Sequence, residues 1–186
     1  MPRNQFILIT GGSRSGKSRL AVRMAKALGR TVIYLATCRV CDNEMRARVR
    51  CHRRERPSHW RTIEHPKDVV RQLQQLDGAE AVIFDCLTMY VSELMMRGVS
   101  EARMRRRIAQ LCEAIRKASC PVIVVTNEVG SSVVPEHPLG RRFRDMAGLA
   151  NQLAARAADQ VVLMVAGIPV RIKGDALDEV THVLRY

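Results

Sequence analysis

The run Gly11-Gly12-Ser13-Arg14-Ser15-Gly16-Lys17-Ser18 constrains this chain more than any other segment. It fits the spacing G-x-x-x-x-G-K-[ST], follows an apolar stretch at residues 6–10 and opens onto a helical pattern. Glycines at these places let successive backbone N–H groups turn toward a phosphate, and the positive end of the following helix points the same way. Lys17 is placed to reach the β- and γ-phosphates of a nucleoside triphosphate, and Ser18 to put a hydroxyl on Mg²⁺. An ordinary glycine-rich turn would not need both neighbours, the strand before and the helix after.

Beyond the loop, strand-length apolar runs alternate with helical patterns, which predicts an α/β fold with a mostly parallel sheet flanked by helices. The runs are residues 6–10, 31–36, 81–85, 121–126 and 160–165, rich in Val and Ile and apolar on both faces. Between the first two, Leu20, Ala21, Met24, Ala25 and Leu28 form one stripe of a helix closed by Gly29. Further helices are predicted over residues 44–54, 67–76, 87–97, 101–117 and 141–158. Short strands at 60–64 and 169–173 are expected near the ends of the sheet.

At 186 residues with no long linker, the chain is expected to form one domain over 1–186, with residues 174–186 a tail of no derivable role. No segment approaches the ~18 apolar residues of a membrane span, and the apolar run near the start is too short for a signal peptide. A cytoplasmic location is therefore expected, and the six cysteines read as reduced thiols. A formal charge of +13 favours polyanions without choosing among them. Much of the excess is arginine in two clusters, at residues 46–56 and 103–107.

Two acids fall where ligands bind in such folds, beyond the carboxyl ends of the strands. Asp85 closes the run Ala81-Val82-Ile83-Phe84, where it can hold Mg²⁺ through water. Glu128 follows the run at 121–126. Each also reads as a helix cap or a surface ion pair. On the arginine-rich stretch, Met45, Val49 and His52 share one helical stripe while arginines take the other faces. Guanidinium neighbours should keep the His52 imidazole neutral, and a neutral ring nitrogen can attack phosphorus. By spacing alone, a histidine packed at the core edge, with the arginines simply solvated, is the favoured reading.

The chain resembles the bifunctional adenosylcobinamide kinase/adenosylcobinamide-phosphate guanylyltransferase family of cobalamin biosynthesis. The resemblance runs from Ile7 to about Lys173. It rests on the phosphate loop, on Tyr34-Leu35-Ala36-Thr37, on residues 42–45 with His52 and Arg56-Pro57, and on Trp60-Arg61-Thr62-Ile63-Glu64. It continues through Asp85-Cys86-Leu87-Thr88, Thr126-Asn127-Glu128-Val129-Gly130, Val134-Pro135-Glu136, Arg142-Phe143-Arg144-Asp145 and Gly167-Ile168-Pro169. The resemblance implies a RecA-like P-loop fold, a homotrimer and two reactions at one site. Adenosylcobinamide is phosphorylated with ATP or GTP, and GMP is then moved from GTP to the phosphate through a histidine–GMP intermediate. His52 is the position that matches. By the same carry-over, Ala36, Thr37, Cys38, Arg53, Arg54, Glu55, Arg56, Glu64 and Asp85 belong with the nucleotide, Lys17 is catalytic, and Ser18 and Asp85 attend the metal.

The chain departs from the family pattern at Ser132, where glycine is common, in its Cys38-x-x-Cys41 pair, and in its tail. That pair with Cys51 and His52 can be drawn as a zinc site, but the second pair lacks the spacing of a zinc half-site, so incidental thiols are expected. Nucleic acid is not the expected partner, because three Tyr, three Phe and one Trp leave few stacking platforms. Two rival readings stay open at this stage. One is a small-molecule P-loop kinase without guanylyl transfer; the other is a RecA-like nucleic-acid-binding ATPase.

Overall fold

The computed structural model describes residues 4–39, 43–76, 78–131 and 133–174, without the side chains of residues 44, 45, 48, 51 and 52. The expectations for Cys41, Ser132, the tail beyond 174 and the side chains of Cys51 and His52 therefore lie outside the described residues.

In chain order the elements are β1 (Phe6–Gly11), α1 (Lys17–Leu28), β2 (Val32–Ala36), α2 (Asn43–Arg54), β3 (Arg61–Glu64) and α3 (Val69–Gln74). There follow β4 (Ala81–Asp85), α4 (Leu87–Met96), α5 (Glu101–Arg116), β5 (Val122–Val125), α6 (Pro138–Ala157), β6 (Gln160–Val165) and β7 (Ile168–Lys173). The seven strands form one sheet in the order β3-β2-β4-β5-β1-β6-β7. All neighbours are parallel except β6 and β7. The mostly parallel α/β expectation holds, and the two short strands lie at the two edges as anticipated.

The apolar runs become central strands because helices cover both sheet faces. On one face Ile7, Ile9, Tyr34, Ile83, Ile123 and Val162 pack against α1 through Leu20, Ala21, Met24 and Leu28. On the other, Phe6, Leu8, Leu35, Phe84 and Val124 pack against α3 to α6 through residues such as Val69, Val91, Ile108 and Ala150. The alternation of neighbours along each strand follows from its two-residue period.

Gly29 ends α1, but not through a left-handed cap: its φ is 174°, an extended value. Glycine is needed there for space. A Cβ at Gly29 would lie 2.3 Å from Cβ of Glu80. The Glu80 carboxylate in turn accepts N–H bonds from Arg30 and Thr31 at 2.7 Å each. The antiparallel return of β7 follows from a two-residue turn, Ala166-Gly167, with φ of 50° and 88°. Positive φ at both positions matches the twist of a tight hairpin. Lys173 then closes the C-terminal end of α6, its ammonium donating to the carbonyls of Ala155, Arg156 and Ala158.

From β1 the chain crosses through α1 to β2 on one side, and from β5 it passes β1 through α6 to reach β6 on the other. The carboxyl end of β1 is thus the place where a doubly wound sheet opens a crevice. The phosphate loop stands there.

Candidate active site

The loop between β1 and α1 is drawn tightly against the neighbouring strand. Gly11 sits at φ 147°, and a Cβ there would stand 2.6 Å from the Met164 carbonyl oxygen. Only glycine combines that backbone angle with that approach. Lys17 is 6% exposed, and its ammonium donates to the Gly12 carbonyl at 2.5 Å and to Ser15 Oγ at 3.4 Å. Burial pulls this ammonium below the ordinary lysine value, while Cys86 and Asp85 act in the opposite sense. Gly12, Ser13 and Arg14 are exposed and Ser15 is buried, so the loop offers its outer backbone to solvent.

Asp85 ends β4 beside α1. Ser18 Oγ donates to Asp85 Oδ2 at 3.1 Å, and the Tyr34 hydroxyl donates to the same oxygen. The pair formed by Ser18 and Asp85 suits Mg²⁺: both are hard oxygen donors, close together, next to the phosphate loop. This ion takes one or two protein oxygens and completes its shell with water and phosphate.

Thr37 fixes the strand ends around this acid. Its N–H donates to the Asp85 carbonyl at 2.9 Å, and its Oγ1 accepts from Cys86 N–H at 2.7 Å and donates to the Cys86 carbonyl at 2.8 Å. Ala36 accepts the His65 N–H at 2.9 Å, which locks β2 to the end of β3. The buried Cys86 thiol is pushed up to about 12 by desolvation, so it stays neutral beside Asp85. Cys38 is half-buried on the segment after Thr37.

A second group of predicted residues gathers on the same sheet face as α1. Arg53, at the end of α2, pairs with Glu64 at the end of β3, with Nε to Oε1 at 2.9 Å. Together with Arg56, Pro57, Ser58, Trp60 and Thr62 they line a cavity of about 460 Å³. The Arg56 guanidinium lies over the Tyr34 ring, 3.4 Å from its centroid. Tyr34 thus connects this cavity to Asp85. Arg54 and Glu55 are exposed where α2 ends. His52 stands on the last turns of α2, one residue before Arg53. A larger cavity of about 630 Å³ lies among α3, α4 and α5, on the opposite sheet face and away from the phosphate loop. Size alone would point to the wrong place.

Sequence reasoning missed two features. The first is the role of Tyr34, hidden inside an apolar strand. The second is a closed ring of hydrogen bonds at the ends of β4 and β5. Thr126 Oγ1 donates to Asn151 Oδ1 at 2.7 Å, so the 3.0 Å contact between the two threonine hydroxyls is donated by Thr88. Asn151 donates to the Asn127 carbonyl at 3.1 Å, and Asn127 N–H returns to Thr88 Oγ1 at 2.7 Å. Only the scattered threonines and asparagines hinted at this, and no spacing rule joins them. The ring holds the segment that carries Glu128, whose N–H donates to the Gly11 carbonyl at 2.9 Å. The Glu128 carboxylate accepts from Gly130 N–H at 3.2 Å, a turn cap of the bland kind.

A buried loop lysine, a serine–aspartate pair beside it and a nearby basic cavity define a P-loop nucleotide-dependent transferase. Residues 7–172 match the sequence model of the family described as cobinamide kinase / cobinamide phosphate guanyltransferase. The chain belongs to that family. It is 39% identical to the bifunctional adenosylcobalamin biosynthesis protein CobU of Escherichia coli, over 90% of this chain and 99% of that protein. It is 41% identical to CobU of Salmonella typhimurium, over 90% and 99%. To the bifunctional adenosylcobalamin biosynthesis protein CobP of Pseudomonas aeruginosa it is 39% identical, over 91% and 98%. This is a bifunctional kinase and guanylyltransferase family of cobalamin biosynthesis, as the resemblance implied. Among the described residues no helix is long and apolar enough to cross a membrane.

Proposed function

We propose that one phosphate cradle serves both reactions of this chain, with His52 as the carrier of GMP. The observation that supports this most is the convergence of Lys17, Ser18 and Asp85 at the carboxyl end of β1, one tyrosine away from the cavity where α2 ends. In the first reaction the aminopropanol hydroxyl of adenosylcobinamide attacks the γ-phosphorus of ATP or GTP. The new O–P bond forms as the β–γ bridging bond breaks, the nucleoside diphosphate leaves, and the hydroxyl proton is released. Lys17 and the loop N–H groups position the triphosphate for this step. Ser18 and Asp85 would hold Mg²⁺, which spreads the charge of the phosphates.

In the second reaction a neutral nitrogen of His52 attacks the α-phosphorus of GTP. The N–P bond forms, the α–β bridging bond breaks, and pyrophosphate carries away the electron pair. A phosphate oxygen of adenosylcobinamide phosphate then attacks the same phosphorus, the N–P bond breaks, and adenosyl-GDP-cobinamide leaves. Arg53 and Arg56 place positive charge at the cavity lip where an anionic phosphate would pass. The whole chain acts as one domain, in the cytoplasm, on a small corrinoid substrate, and assembles as a homotrimer. Light scattering at working concentration then gives three times the chain mass; a fully active monomer would refute the assembly.

The deciding experiment is incubation with α-labelled GTP and Mg²⁺ without acceptor, followed by mapping of the label. We expect label on His52, stable to alkali, labile to acid, and removed by pyrophosphate. His52→Asn removes the nucleophile and abolishes both label and guanylyl transfer while sparing a measurable part of the kinase activity. Label on another residue, or labelling of the variant, overturns the assignment.

A further inference from the structure

Strand β2 reads Val32-Ile33-Tyr34-Leu35-Ala36, and Tyr34 is its one polar side chain. It is 1% exposed and packs in the α1-side core with Ile7, Ile9 and Ile83. A phenylalanine would fill that space without a hydroxyl to satisfy. Burying an unbonded hydroxyl costs stability, so the bond it makes has to compensate. The register explains where it goes: Tyr34 pairs with Ile83, and Asp85 lies two residues further along β4 on the same face. The hydroxyl reaches diagonally to Asp85 Oδ2, the oxygen that also accepts from Ser18. Among the described residues no hydrogen bond reaches Oδ1.

Over the face of the ring lies Arg56. Its Nε and Nη1 are buried and have no hydrogen-bond partner among the described residues. A guanidinium in that state is held by the ring face, an interaction that strengthens as water is excluded. The positive charge also draws density from the ring, which makes the phenol a better donor to Asp85. The ring therefore joins two charged groups, the guanidinium over its face and the carboxylate at its hydroxyl edge.

We propose that Tyr34 is a positioning residue for the metal-holding acid, orienting Asp85 through its hydroxyl so that Oδ1 faces the cation site while its ring seats Arg56. The inference rests on the shared-cradle reading above. It adds a link by which the segment following α2 and the acid of the cradle are set by one side chain.

The test uses the full chain with Mn²⁺ and GDP as probes, followed by electron paramagnetic resonance, so that it needs no turnover. Tyr34→Phe keeps the ring and removes the hydroxyl. It is expected to weaken Mn²⁺ binding in the presence of GDP by about 3- to 10-fold, the loss of one charge-assisted hydrogen bond. The Mg²⁺ concentration needed for half-maximal rate should rise by the same factor, with the rate at saturating Mg²⁺ within about 2-fold of the parent. Asp85→Asn provides the control for coupling: in that background Tyr34→Phe should change Mn²⁺ binding by less than 2-fold. A purely packing role predicts a shift of the unfolding midpoint with no change in Mn²⁺ binding, and that result overturns the proposal. So does an equal loss in both backgrounds. If the parent chain takes no label from GTP, the guanylyl reading fails, while the Mn²⁺ comparison still decides the role of Tyr34.

Discussion

α1 and α2 are both twelve residues long, yet they are attached in opposite ways. α1 buries seven residues: Lys17, Leu20, Ala21, Val22, Met24, Ala25 and Leu28. On α2, Arg46, Ala47, Arg50, Arg53 and Arg54 are exposed and Val49 is half-buried. The connections of its C-terminal end are charged ones, Arg53 to Glu64 and, just beyond the helix, Arg56 to the Tyr34 ring. The first helix is held by hydrophobic burial, which salt does not screen; the second end is held by an ion pair and a cation over a ring, which salt weakens. The cradle helix and the arginine-rich helix are thus served by different kinds of attachment.

The comparison breaks most readily at Lys17. Lys17→Met is expected to lower both phosphoryl and guanylyl transfer by about 10³-fold or more, the scale of losing a charged transition-state donor. Full retention of either activity in a folded variant would show that the cradle is not shared. The same change tests the cost of burying the ammonium. Because the folded-state value of Lys17 is lowered by burial, the parent carries an electrostatic penalty at pH values below that folded value. The penalty is relieved as pH rises through it toward the ordinary 10.5. Lys17→Met should therefore raise the unfolding midpoint of the nucleotide-free chain, and its advantage should shrink as the pH approaches that range.

Gly11→Ala is next in size. The added Cβ would meet the Met164 carbonyl on β6, in a backbone region that side chains avoid. A loss of about 2–4 kcal/mol is expected in urea unfolding, from backbone strain and overpacking together. Gly12, where a Cβ would meet nothing within 4 Å, should tolerate alanine with little change in stability. Equal losses at the two positions would mean that the loop is not pressed against β6 as described.

These positions also show what could be read beforehand. The cradle was legible because its chemistry fixes residue spacing within one turn of backbone, and the flanking strand and helix confirm it. The parallel strands were legible because burial on both faces demands continuous apolar runs. The sheet order was not, since no local pattern states which strands are neighbours. Tyr34 was invisible for the same reason: its partner Asp85 is 51 residues away and becomes adjacent only through the pairing of β2 with β4. The resemblance supplied His52, Arg53, Arg56 and Glu64 as a group. Why Arg53 and Glu64 belong together required the fold, which brings the end of α2 to the end of β3.

The smallest expected effect is the sharpest probe of the charged arm. Glu64→Gln keeps the shape of the side chain and removes the charge that Arg53 meets. Both side chains are about half exposed, so the pair contributes no more than about 0.2–1 kcal/mol, and the unfolding midpoint should hardly move. Its consequence should appear in positioning instead. At low ionic strength the GTP KM for labelling of His52 is expected to rise about 2- to 4-fold, while the kinase KM stays within about 1.5-fold. Salt discriminates between two origins of that change. An anchor acting through Arg53 is screened, so parent and variant should converge at about 0.5 M salt, where the screening length is only a few ångströms. A carboxylate that touches the nucleotide itself, in the half-buried cavity, would keep its effect at that salt. Persistence of the full difference would therefore move Glu64 from the attachment of the arm to the binding of the substrate, and the contrast between α1 and α2 would then rest on Arg56 and Tyr34 alone.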